Sequence, residues 1–166
     1  MAERPPLLSL DEAQARLVEG ARAQAIRDTE ELSTFDALNR VLAHDLVSPL
    51  DVPPADNSSM DGYAVRAADV KPGQAMPVSQ RIPAGHVGQP LQPGTAARIF
   101  TGAQMPPGAD AVVMQEDATV GEGTVSFNAT PAPGQWVRPR GEDVRTGAVV
   151  LPRGSRLTPQ ALGLAA

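Results

Sequence analysis

The chain contains no cysteine, which excludes disulfides, thiolate metal sites and cysteine nucleophiles within it. Aromatic residues are scarce, with one Trp, one Tyr and three Phe in 166 residues, so a core has to be built from Leu, Val, Ile and Ala. No run of about 18 apolar residues occurs. Glu3, Arg4, Pro5 and Pro6 stand where a signal-peptide core would be apolar. The expectation is a cytoplasmic chain with no membrane partner. An excess of basic charge is also missing: the net charge is −5, which gives no support to nucleic-acid binding, where a basic face is the rule. Lysine is almost absent, because 13 of the 14 basic residues are Arg. Arginine suits bidentate binding of phosphate or carboxylate, although genomic composition produces the same bias.

What the chain does have is turn chemistry. Fifteen Gly and 17 Pro are too many for a helical bundle, and their spread between apolar segments argues against simple disorder. A chain of this length forms one domain or two small ones and buries roughly 70% of its unfolded surface. Ser9 followed by Glu12 is a capping-box pattern. It predicts a helix carrying Leu10, Ala13, Leu17 and Ala21 at helical spacing, weakened by Gly20. A second helix is expected from about Phe35 to Ala43, burying Leu38, Val41 and Leu42, and Leu46-Val47 is read as the start of a strand.

From Asp51 to Arg140 the pattern changes to short β-like runs punctuated by Pro and Gly: Tyr63 to Arg66, Ala75 to Val78, Ala96 to Thr101 and Ala111 to Gln115. Thr119-Val120, Gly121-Glu122-Gly123 and Thr124 to Phe127 read as a hairpin. Short strands in series suggest a small sandwich or irregular barrel. Ala148 to Leu151 gives one more strand, and Thr158-Pro159 opens a helix with an N-cap and a first-turn proline. That helix reaches only Ala166, with no C-cap signal, and the expectation is an N-terminal fragment of a longer protein.

The densest polar segment is Asp51-Val-Pro-Pro-Ala-Asp-Asn-Ser-Ser-Met-Asp-Gly-Tyr-Ala64. Pro53 and Pro54 break regular pairing, Asn57, Ser58 and Ser59 favour local bonds to backbone, and Asp61-Gly62 is a turn signal. A polar loop of this density is often a binding site on a rigid scaffold. Asp56 is explained by an Asx turn with Ser58. An EF-hand loop counted from Asp56 fails, because Asp61 and Ala67 stand where Gly and Glu are needed. No phosphate-binding loop or dinucleotide fingerprint is present. His86 and Met60 suggest no site, and Trp136 is expected to pack in a core or an interface.

Three blocks carry a family likeness: Asp51 through Arg66; Arg98-Ile-Phe-Thr-Gly-Ala-Gln-Met-Pro-Pro-Gly-Ala-Asp-Ala-Val-Val-Met-Gln-Glu116; and Val137-Arg-Pro-Arg-Gly-Glu-Asp-Val144. Together they resemble the N-terminal region of the molybdopterin molybdenumtransferase (MoeA/gephyrin E-domain) family, from about Leu8 to the end. The resemblance implies insertion of molybdate into adenylylated molybdopterin with release of AMP, a Mg²⁺ cofactor, a homodimer, and other proteins of molybdenum-cofactor biosynthesis as partners. It implies an α+β, mainly β fold: a discontinuous helix-containing dimerisation domain, residues 1–50 and 141–166, around an inserted irregular β-rich domain, 51–140. A pterin-binding domain and a C-terminal β domain would normally follow, so this chain alone is expected to be inactive.

On that resemblance Asp61, Thr101 and Asp143 are the candidate catalytic residues, with Asp61 also holding the metal, and Arg138 and Ser58 are the candidate substrate-binding residues. Carboxylates beside a pyrophosphate and a molybdate repel the substrate unless a cation lies between them, and Mg²⁺ is commonly held by one or two carboxylates plus water and phosphate oxygens. Against each role stands a plain structural one. Asp61 sets a turn, Thr101 suits a strand edge, and Arg138, Arg140, Glu142 and Asp143 form solvated surface pairs worth about 0–1 kcal/mol each. Pro139 interrupts what is a continuous basic patch in many relatives. A competing function is a catalytically inactive interaction or scaffolding module on the same fold. A further alternative is a small-molecule-binding β domain unrelated to molybdenum.

Overall fold

A computed structural model describes residues 8–166. The fold is mainly β with two helices, and by packing it divides into two compact units. One unit runs up to Ala43 and resumes over Arg156–Ala166; the other is His44–Ser155.

In the first unit α1 spans Leu10–Ala23, and both halves of the capping box form: Ser9 Oγ accepts from the Glu12 amide at 3.3 Å, and Glu12 Oε2 accepts from the Ser9 amide at 3.0 Å. The helix expected over Phe35 to Ala43 is absent. A single 3-10 turn, Thr34–Asp36, takes its place, and Asn39 then adopts a left-handed φ of 66°. The backbone groups a helix would have used are taken by a distant segment. Asn39 N donates to Leu157 O and Leu157 N to Arg40 O, each at 2.8 Å, and Val41 bridges Arg156. Helix α2, Pro159–Ala165, starts as its sequence predicts, with Thr158 Oγ1 accepting from the Ala161 amide at 3.2 Å.

The second unit contains ten strands: β1 Leu46–Val47, β2 Asn57–Ser58, β3 Gly62–Val65, β4 Met76–Ile82, β5 Ala96–Ile99, β6 Ala111–Met114, β7 Ala118–Val120, β8 Thr124–Phe127, β9 Val137–Arg138 and β10 Val149–Leu151. Six of them form one sheet in the order β6-β3-β5-β4-β8-β7, with β4 and β5 parallel and the other neighbours antiparallel. β4 pairs with β8 through Met76 and Pro77, then with β5 from Val78 to Ile82, and its register shifts between Val78 and Gln80. Such an irregularity bends a strand and lets the sheet turn. The expected hairpin is β7–β8.

Alternation along the strands sorts side chains into two cores. Tyr63 and Val65 of β3, Ala96 of β5 and Ala111 and Val113 of β6 join Val125 and Phe127 on one face. Ala64, Ala97, Ile99 and Val112 point to the other, with Ile82, Leu91, Ala103 and Met105. Both faces of the central strands are therefore covered. The few aromatics are used here: Tyr63 and Phe127 meet edge to face at 5.9 Å between centroids.

Two chain segments distant in sequence also zip together antiparallel. Leu46 and Val47 pair with Leu151 and Val149, Val52 bridges Val144, and Asn57 and Ser58 pair with Arg138 and Val137. The two-residue strands β2 and β9 have no signature in the sequence, because this long-range pairing alone creates them.

Candidate functional site

Topology brings the candidate residues together. β3 and β5 are antiparallel with Gly62 opposite Ile99, and Gly62 also faces Met114 at the end of β6. The residue before β3 and the turn after β5 must then share one end of the sheet. Asp61 is that residue and Thr101 lies in that turn. Asp61 Oδ1 accepts from the Thr101 amide at 2.8 Å and from its hydroxyl at 2.7 Å. These two donors, followed by the positive charge of Arg98, hold the Asp61 carboxyl below its ordinary range. Gly102, at φ 79°, takes the left-handed conformation that lets the chain turn directly after Thr101.

Strand β2 links this corner to the third block. On one side Ser58 N donates to Ala103 O at 2.9 Å and Gly102 N to Ser58 O at 2.8 Å; on the other, Ser58 pairs with Val137. The Ser58 side chain is only 1% exposed, and its hydroxyl donates to Met60 O at 2.6 Å. Its geometry shapes the loop from within.

Arg138 is an ion-pair centre. Its Nε meets Glu142 Oε2 at 2.8 Å and its Nη2 meets Asp143 Oδ2, and these carboxylates push the guanidinium pKa up, Asp143 most. An anion arriving at Arg138 therefore competes with Asp143 and Glu142. Asp143 faces the Arg138 guanidinium.

The Asx turn expected at Asp56 does not form. Asp56 Oδ1 instead accepts from the Arg140 amide at 2.7 Å, and the Ser58 amide is already committed to Ala103. Asp51 does parallel work. Its Oδ1 accepts from the Thr146 amide at 2.7 Å and its Oδ2 from Arg140 Nε at 2.5 Å, which together lower its pKa, the Thr146 amide most. The Asp51–Asp61 loop is thus stitched to Arg140 and Thr146 by the carboxylates of Asp51 and Asp56. Among the described residues, no group of three or more His, Asp or Glu side chains is placed to hold a metal ion. Both hydrogen bonds to the Asp61 carboxylate fall on Oδ1. One carboxylate of this kind fits a Mg²⁺ site completed by phosphate oxygens and water.

Comparison with known proteins places this geometry. The family model for the MoeA N-terminal region (domain I and II) matches residues 8–166. The chain belongs to the MoeA N-terminal family. A molybdopterin molybdenumtransferase of Haemophilus influenzae is 44% identical over 162 residues, covering 96% of this chain and 40% of that protein. One from Nostoc sp. is 47% identical over 139 residues, covering 79% and 31%. The crystal structure of a molybdopterin biosynthesis MoeA protein from Pyrococcus horikoshii OT3 superimposes with a TM-score of 0.76 at 38% identity, covering 84% of this chain and 38% of that one. Another crystal structure of a molybdopterin biosynthesis MoeA protein from Pyrococcus horikoshii gives 0.81 at 33% identity, covering 90% and 40%. The chain thus spans about 40% or less of the length of these relatives.

One residue of this MoeA-family chain escaped the sequence reading of the site. Arg98 on β5 donates from Nη1 to Gly62 O at 2.8 Å and from Nη2 to Gln115 Oε1 at 2.6 Å. Its guanidinium lies over the Phe100 ring at 4.5 Å and the Tyr63 ring at 5.3 Å, and Arg81 covers Phe100 at 4.8 Å. Arg98 therefore braces the Asp61–Gly62 corner from behind. The signal was in the Arg-rich composition, but nothing in the local sequence singles out position 98. Of the two placements expected for Trp136, the core is not the one it takes: it belongs to neither core cluster and is 40% exposed.

Proposed function

We propose that this chain carries one wall of a molybdopterin molybdenumtransferase site, which inserts molybdate into adenylylated molybdopterin and releases AMP. The observation that carries this reading is the convergence of the three family-like blocks on one corner, with Asp61 held by Thr101 and joined through β2 to Arg138. Thr101 is the positioning partner of Asp61, because its amide and hydroxyl both point at Oδ1. Binding a phosphate or molybdate oxygen would require the hydroxyl to turn away from Asp61. Arg138 offers a guanidinium that exchanges its carboxylate partners for an anion, and Asp143 keeps it oriented until then. Ser58 contributes by fixing the backbone between the two.

Asp61 is the residue that would hold Mg²⁺, which neutralises charge on phosphate oxygens when bound. Exposed Leu10, Leu17 and Val18 on α1 support a homodimer, because surface apolar clusters commonly mark interfaces. The first unit, interrupted in the chain by His44–Ser155, supports a discontinuous organisation in which the segments ending at Ala43 and resuming at Arg156 belong together. No helix of the described residues is long and apolar enough to cross a membrane, which fits a cytoplasmic setting among the proteins of molybdenum-cofactor biosynthesis.

The test is AMP release from adenylylated molybdopterin with molybdate and Mg²⁺, using the longest natural polypeptide that carries this sequence. Asp61→Asn is expected to lower the rate by about 100-fold, the scale for losing one charge-stabilising group. Equal rates would remove Asp61 from the chemistry. No release by either folded protein would favour the interaction module. The 166-residue chain alone is expected to show no turnover.

A further inference from the structure

Trp136 combines features that a packing residue does not need. Its φ is 55°, a left-handed conformation uncommon for non-glycine residues and strained for bulky ones. The backbone is pinned there from several directions. Trp136 O accepts from Ser59 N at 2.9 Å, Gln135 O accepts from Val112 N at 2.9 Å, and Gly134 N donates to Asp110 O at 2.7 Å. The indole nonetheless remains 40% exposed. Tyr63 and Phe127 are buried, and Phe100 is engaged by two arginines. Among the described residues no aromatic pair or cation–π contact engages Trp136. Its position is specific to the site: its carbonyl binds Ser59, two residues before Asp61, and Arg138 follows two residues later.

We propose that Trp136 is a stacking platform for a flat heteroaromatic ring, purine or pterin, of a ligand whose anionic end is held toward Arg138. The proposal rests on the transferase reading, which supplies a substrate with both rings and a pyrophosphate between them. A fixed backbone presents the ring at little further cost in ordering, and stacking on an exposed indole tolerates either heterocycle. The strained conformation then serves recognition and not stability.

Because Trp136 is the single tryptophan, its fluorescence reports on this spot alone. The 166-residue chain is titrated with AMP and, separately, with a neutral pterin, with free tryptophan as the absorbance control. Calorimetry gives affinities for wild type, Trp136→Leu and Trp136→Phe, and urea midpoints show that the variants fold. Saturable quenching by one ligand is expected and identifies the ring. Trp136→Leu keeps apolar bulk but no π face and is expected to weaken that ligand about tenfold, with Trp136→Phe recovering most of the loss. Unchanged affinity in a folded Trp136→Leu overturns the stacking proposal and leaves the transferase reading intact. No saturable binding of either ligand to wild type overturns the proposal and also counts against this face as the substrate site.

Discussion

Helix α1 and strand β3 are both well formed, but they are specified in opposite ways. Leu10 and Leu17 of α1 are 82% and 75% exposed, and no residue of that helix is buried. All four residues of β3 are buried. α1 is defined by near neighbours: a reciprocal cap, Asp11 and Glu12 in the first turn, and Arg22 in the last, each complementing the helix dipole. β3 is defined by β5 and β6 and by two cores. The site grows on the tertiary half of this contrast, since Asp61 and Thr101 need the β3–β5 register in order to meet.

The sharpest way to break the comparison is a methyl group at a glycine in each region. A Cβ at Gly62 would lie 2.0 Å from Val113 O, a backbone atom of the paired strand that cannot yield without breaking the sheet. Gly62→Ala is expected to cost at least about 3 kcal/mol, the upper end for overpacking, and to displace Asp61 with it. Urea denaturation measures the loss. A drop below about 1 kcal/mol would mean that β3 and β6 separate easily, and the rigid corner would go with them.

Next in size is truncation of the core. Phe127 is nearly fully buried and packs against Tyr63, so Phe127→Ala is expected to cost about 3–5 kcal/mol. Leu17→Ala is expected to stay within about 0.5 kcal/mol, as for other exposed positions. If the Leu17→Ala loss is larger and depends on protein concentration, α1 is covered in an oligomer and the contrast belongs to the isolated chain.

These differences explain what the sequence made legible. Ser9 and Glu12 marked α1, Thr158-Pro159 marked α2, and Gly121-Glu122-Gly123 marked the β7–β8 hairpin, because each signal is completed within a few residues. Phe35 to Ala43 has helical spacing but no helix, since Arg156 and Leu157 take its backbone groups. Asp61-Gly62 was read as a turn; Gly62 is instead the first residue of β3, and the approach of Val113 explains the glycine. For the site, the blocks named the residues but not their partners. Thr101 bonding to Asp61, Arg140 to Asp51 and Asp56, and Arg98 to Gly62 span 36 to 89 residues, separations that no local pattern encodes.

Acid titration tests the stitching with a smaller effect. The folded pKa values of Asp51 and Asp61 lie below their unfolded values. Between the two values the unfolded chain binds more protons, so stability rises with pH across that window. The contribution is complete above the unfolded value of about 3.9 and is lost as pH falls through the folded value. Urea midpoints from pH 6 down to 2.5 should fall for wild type and fall less steeply for Asp51→Asn. Parallel slopes would mean that the Thr146 amide and Arg140 do not hold Asp51 in solution. Glu12 in α1 is lowered in the same direction by Ser9, so Glu12→Gln should also flatten the slope, through a purely local pair.

The effect expected at Gly20 is modest and has the opposite sign to the effect at Gly62. Nothing lies within 4 Å of a Cβ built there, and the residue is inside α1, where glycine costs about 1 kcal/mol relative to alanine. Gly20→Ala should therefore raise helix content by circular dichroism. It will raise the global urea midpoint only if α1 unfolds together with His44–Ser155. A gain in helicity without a shift in midpoint would show that the two units unfold separately, as local and tertiary specification would allow. A gain in both would couple α1 to the unit that carries Asp61, and helix stability would then bear on the site through folding.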